Sequence, residues 1–118
     1  MFKFEKLEVW NKAIDFADSV YWSTKSFPVE ERFGLTNQMR RAAVSVSSNI
    51  AEGSSRSSDV DFARFVEIGT GSLFEVVSEA TVARRQHLLH KDNFDLLYQD
   101  AETLGRMLSG LHRTLRCH

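Results

Sequence analysis

Residues 92–116 read DNFDLLYQDAETLGRMLSGLHRTLR. The apolar residues Phe94, Leu97, Ala101, Leu104, Leu108, Leu111 and Leu115 are spaced three and four apart in alternation. This is the heptad seam of a helix that packs along its whole length, sustained for three repeats. Asp92, Asp95, Asp100 and Glu102 lie early in the stretch, and Arg106, Arg113 and Arg116 lie late. A helix dipole favours that polarity. Asp92 is the expected cap, after a short turn at His90 and Lys91. A seam of this kind needs other helices to face it, and the rest of the chain predicts three.

Working back from the seam, Ser58, Asp59, Val60 and Asp61 read as a helix start, with Ser58 capping and acids in the first turn. Phe62, Val66, Gly69, Leu73, Val76, Ala80 and Ala83 form one apolar row. The third helix is therefore expected to extend to Leu89, roughly 30 residues or about 45 Å. Gly69 and Gly71 each cost about 1 kcal/mol of helix propensity relative to Ala. Glycines so placed imply that another helix backbone comes close. The run Gly53 to Ser58 is a break by composition and too short for a domain linker.

The second helix is predicted from Leu35 or Thr36 to about Gly53. Met39, Ala43, Val46 and Ile50 form its apolar face, and Gln38, Arg41, Ser45, Ser48 and Glu52 a polar row. In the first helix, Leu7, Trp10, Ile14, Ala17 and Tyr21 mark one face, with Val9, Ala13, Phe16 and Val20 beside it. Pro28 disfavours helical geometry at Phe27, so this helix ends near Ser26. Pro28 then opens a short turn through Arg32, which Gly34 breaks. No strand pattern or internal repeat is visible. The expected fold is all-α, an antiparallel up-down-up-down four-helix bundle, with residues 1–118 as a single domain. The doubled apolar rows exceed what one bundle interior covers, which predicts self-association.

Composition narrows the function. The chain carries 15 Lys+Arg and 16 Asp+Glu, a net charge of −1, which argues against polyanion binding by bulk charge but permits a local basic patch. Cys117 is the single cysteine, so neither a disulfide framework nor a cysteine-based zinc site forms within one chain. The longest uncharged run, Ala42 to Ala51, falls well short of the roughly 20 apolar residues of a membrane span. The N-terminus lacks the apolar run of a signal peptide, and a cytoplasmic protein is expected.

Helical bundles hold di-iron sites through Glu-x-x-His motifs. Here Arg84, His87 and Ser109 stand three residues before His87, His90 and His112, so the motif is absent. His87 and His90 read as solvated histidines at a helix end, and no metal or other cofactor is expected. With no Gly-rich loop after a strand and no nucleophile–base order, an enzyme is not expected. The polar cluster that stands out is Gln38, Arg40, Arg41, Asn49, Glu52, Arg56 and Arg64. Neighbours on a helix diverge by about 100°, so Arg40 and Arg41 cannot face one way. Glu52 is a candidate partner for Arg41, and Glu75 for Arg40. Such a network would pin helix register, and losing Arg41 would then cost a few kcal/mol. The alternative is an arginine patch for RNA or DNA phosphates at Arg40, Arg41, Arg56 and Arg64. The two Trp, Tyr21 and the nine Phe read as core or subunit contacts before base-stacking platforms.

Several runs carry a wider resemblance: Leu7-Glu8-Val9-Trp10, Phe27-Pro28, Phe33-Gly34-Leu35, Arg40-Arg41-Ala42-Ala43-Val44-Ser45, Asn49-Ile50-Ala51-Glu52-Gly53 and Gly71-Ser72-Leu73-Phe74-Glu75. Together they resemble the bacterial four-helix-bundle family named for proteins encoded in 23S rRNA intervening sequences. The accessory variability protein of diversity-generating retroelements belongs to the same superfamily. The resemblance covers nearly the whole chain. It implies a ring-forming bundle, usually a homopentamer, that is cytoplasmic and non-enzymatic. It also implies a poorly defined role, with RNA, ribosome or reverse-transcriptase association in the family, most clearly in the retroelement branch; the reading adopted is a binding or scaffold protein. The present chain departs from that branch in charge, being slightly acidic where those proteins are strongly basic. Gly69 stands where the family often has Ala. No catalytic residue carries over.

Overall fold

The computed structural model describes residues 1–117. Four helices carry the fold: α1 (Glu8–Thr24), α2 (Leu35–Ser54), α3 (Asp59–Arg85) and α4 (Lys91–Arg116). Short 3-10 turns at Lys3–Lys6 and Val29–Glu31 precede α1 and α2. The molecule measures 46 × 21 × 21 Å. At 1.5 Å per residue, α3 and α4 each need about 40 Å and fit only along the long axis. The connections at residues 55–58 and 86–90 are short enough to force consecutive helices antiparallel. Each helix packs on its neighbours in the order α1, α2, α3, α4 and back to α1, with no diagonal contact among the described residues.

The seam of α4 is where the spacing places it. Leu97, Ala101, Leu104, Leu108 and Leu115 are buried, and Phe94 and Leu111 pack against that core from its margin. On α1 the two rows exchange rank. Val9, Ala13, Phe16 and Val20 face the interior, whereas Leu7, Trp10 and Ile14 are half-buried and Tyr21 is exposed. Polar links join three of the neighbouring helix pairs. Arg40 Nε donates to Thr24 Oγ1 at 2.9 Å between α2 and α1. Ser45 and Ser72 share a hydroxyl hydrogen bond of 2.9 Å between α2 and α3. Between α3 and α4, His112 Nε2 lies 2.8 Å from Glu67 Oε2. That hydrogen bond, more than any other cause, holds the Glu67 carboxyl below its ordinary range.

The second helix ends at Ser54, close to the expected boundary at about Gly53, with Gly53 buried against α3. Three expectations need correction. Gly71 faces open space, so the close-backbone argument holds for Gly69, beside Val46 on α2, and not for Gly71. The third helix stops at Arg85, short of Leu89, because the chain turns there through a left-handed residue. His87 has φ 61°, its N–H reaches the Arg84 carbonyl, and the Leu88 N–H reaches the Ala83 carbonyl. Those two bonds are a Schellman C-cap, usually built on glycine. His90, not Asp92, then caps α4, its Nδ1 accepting from the Asp92 N–H at 3.2 Å.

His87 and His90 thus end one helix and start the next on one tight connection. A β-carbon in the left-handed region costs roughly 1 kcal/mol. His87→Gly is accordingly expected to stabilise the fold by about 0.5–1 kcal/mol, read as a rise in urea midpoint at constant slope. A fall in the midpoint would show that the His87 ring has a partner worth more than the strain.

Candidate functional site

The residues singled out from the sequence sort into two ends of the molecule. Arg40 and Arg41 lie in the first half of α2, Arg56 lies in the α2–α3 connection, and Arg64 lies near the start of α3. From Arg41 to Ser54 alone is about 20 Å of helix, so the four arginines do not form one patch. Arg56 lies over the Phe65 ring at 4.6 Å. Arg64 is exposed and adds a weak pull on the Glu67 carboxylate. Asn49 donates to the Ser45 carbonyl at 2.8 Å and to Ser45 Oγ at 3.0 Å, bracing the hydroxyl that meets Ser72.

Arg40 and Arg41 diverge as neighbours on a helix must, but not toward the expected carboxylates. Arg40 turns to α1. Besides Thr24, its guanidinium reaches the Tyr21 carbonyl at 3.4 Å and lies over the Tyr21 ring at 4.6 Å. A cation at the last carbonyls of α1 satisfies orphan acceptors and opposes the helix dipole. Glu75 belongs to α3, on another side of α2, and cannot serve Arg40. Arg41 is exposed and makes no hydrogen bond or ion pair among the described residues. Glu52 stands eleven residues further along the same helix, about 16 Å away, and its side chain is exposed. The stability expected of Arg41 therefore belongs to Arg40.

What Arg41 does is line an open cleft of about 780 Å³ at the end of the bundle where α1 ends and α2 begins. Tyr21, Arg32, Phe33, Thr36 and Arg40 share its wall, with the Ser45 and Ser48 hydroxyls further along, and among the described residues no carboxylate lines it. Arg32 lies over the Phe33 ring at 5.9 Å. Glu31, nearby in sequence, is turned to the Leu35 N–H at 3.3 Å. Arg32 and Phe33 escaped the sequence reading because they sit in a loop, where no periodicity groups them with α2.

A second groove runs beside the first, between α2 and α3, and brings Arg41, Glu75 and Glu79 together. Burial pushes the Glu79 carboxyl above its ordinary range, and repulsion from Glu75 adds to the shift. Glu79 Oε1 is buried without a hydrogen-bond partner among the described residues. The folded state therefore binds this proton more tightly than the unfolded chain does. The stability so gained is present below the ordinary carboxyl pKa and lost as pH rises through the shifted one. Glu79→Gln should raise the melting temperature at pH 7 and leave it nearly unchanged at about pH 3, where both side chains are neutral. A lower melting temperature at pH 7 would mean that the carboxylate has a stabilising partner in solution.

A third groove, between α3 and α4, is apolar. It too has a volume of about 780 Å³, with Leu73, Phe74, Val77, Tyr98, Ala101 and Gly105 in its walls and floor. Phe74 is 67% exposed there and Tyr98 45%. Gly105 keeps the floor low, its nearest neighbour being the Leu73 side chain.

Against this geometry, the family model described as 23S rRNA-intervening sequence protein matches residues 5–110. The chain belongs to that family. The match takes in the arginine cleft, the apolar groove and most of α4. Among solved structures, the chain is similar to a protein of unknown function from the S23 ribosomal protein family of Bacteroides thetaiotaomicron. The two are 20% identical with a TM-score of 0.82, over 89% of this chain and 98% of the other. At that identity the likeness establishes the shared four-helix fold. No curated protein matches the chain. Among the described residues, no helix is long and apolar enough to cross a membrane.

Proposed function

We propose that the protein is a non-enzymatic, cytoplasmic scaffold that assembles with copies of itself into a closed ring, five-membered as the family resemblance implies. The observation that carries this reading is the open apolar groove between α3 and α4. Leu73, Val77 and Ala101 form its base, and Phe74 and Tyr98 stand exposed along it. Contiguous apolar surface of this kind is costly to leave in water and marks an interface. A ring needs two different faces on each copy, joined head to tail. The α3–α4 groove is mainly apolar and the cleft on the α1–α2 side is rich in arginine, so the two faces differ as such a joint requires. Phe74→Asp places a charge in the groove while disturbing little of the monomer. It is expected to weaken self-association at least tenfold by size-exclusion chromatography across a dilution series. Val60→Asp, an equally exposed apolar site away from the groove, is expected to leave association unchanged. The reverse pattern would move the interface elsewhere.

A second reading, RNA binding, is favoured by one specific observation. The cleft at the start of α2 gathers three guanidinium groups and no carboxylate on a chain whose net charge is −1. Local charge of one sign in a concave wall attracts phosphates even where the whole molecule does not. Salt titration of RNA binding tests it, since phosphate contacts release counterions and make affinity fall steeply with salt.

A further inference from the structure

We propose that the cleft between the end of α1 and the start of α2 takes single-stranded RNA, with Phe33 and Tyr21 as its stacking surfaces and Arg32 and Arg41 as its phosphate contacts. This rests on the second reading above and narrows it to one place, one strand and one set of residues.

The cleft differs from an ordinary basic surface in three respects. Among the described residues no carboxylate lines the cleft itself, and Arg41, which also borders the neighbouring groove with Glu75 and Glu79, makes no ion pair with either. Its aromatic rings are available. Phe33 is 84% exposed and Tyr21 43%, in a fold that buries Phe16 and Phe27. Its cations and rings are already interleaved, with Arg40 over Tyr21 and Arg32 near Phe33. Arg40 is held by Thr24 and the Tyr21 carbonyl, so Tyr21 is fixed on one face by a cation that does not need to reorganise. Arg41, the next residue, is left to reach outward. Alternating aromatic faces and arginines in a groove are what a single strand requires, since its bases are free to stack while its phosphates meet cations. A duplex hides its bases in the helix and could use only the arginines. From Thr36 to Ser48 the wall runs about 18 Å along α2, room for a few nucleotides. Arg56 and Arg64 lie at the other end of α2 and take no part.

The test uses the full-length protein and a fluorescein-labelled twelve-nucleotide oligouridine, with a twelve-base-pair RNA duplex as comparison, followed by anisotropy at two salt concentrations. The single strand is expected to bind at least tenfold more tightly than the duplex. Phe33→Ala is expected to weaken single-strand binding about tenfold and Phe33→Tyr to restore it. Arg41→Ala is expected to weaken binding and lower the salt slope by about 0.7. Arg64→Ala is expected to change neither. Phe33 and Arg41 are exposed, and melting curves equal to the parent's would show the variants folded. Equal affinity for duplex and single strand, with Phe33→Ala unchanged, would overturn the stacking inference while leaving RNA binding in place. Binding lost in Arg64→Ala but kept in Arg41→Ala would overturn the location. No binding of either RNA would overturn both this inference and the reading on which it rests.

Discussion

Leu104→Ala is expected to cost about 2–5 kcal/mol of folding stability. Leu104 is fully buried at the middle of the α4 seam, between Ala101 and Leu108, which are buried as well. Removing three carbons there forfeits their transfer energy and leaves a cavity. Backbones in the middle of long, straight helices move little to fill such a space. Urea unfolding at one fixed protein concentration measures the loss, because association would otherwise shift the apparent stability. A change below about 1 kcal/mol would mean that the seam does not face the bundle interior.

Gly53→Ala is expected to be the most damaging single-carbon addition, by roughly 1–3 kcal/mol. A β-carbon there would stand 2.7 Å from Phe65 Cβ and 2.8 Å from Phe62 Cδ1. Phe65 Cβ is fixed to its backbone and cannot swing aside, so α2 and α3, the most extensively packed pair of helices, would have to part there. Gly71→Ala is expected to act in the opposite direction. Nothing lies within 4 Å of its would-be β-carbon, so the helix gains about 1 kcal/mol of propensity without a clash. Paired thermal melts read both signs. A stabilised Gly53→Ala would show that the α2–α3 crossing has slack that its geometry does not reveal.

The fold was legible because its signal is periodic. The 3-4 spacing from Phe94 to Leu115 and the Ser58 cap of α3 are local features, and the packed structure honours both. The exit from α3 was not legible. A histidine at φ 61° has no sequence mark, since the left-handed position usually advertises itself with glycine. The pairing of Arg41 with Glu52 could have been refused from the sequence, because eleven residues on one helix span about 16 Å. That Arg40 prefers Thr24 and a carbonyl of α1 to any carboxylate could not, since it depends on where α1 ends against α2. Arg32 and Phe33 joined the site only when the loop between those helices was folded over the cleft.

The central claim is that the bundle works as an assembled scaffold, and its most direct test is the absolute mass of the purified protein by multi-angle light scattering at micromolar concentration. The account predicts a single species of several chains, five times the 13.5 kDa chain mass for the five-membered ring. A monodisperse 13.5 kDa particle, unchanged on concentration, would contradict it.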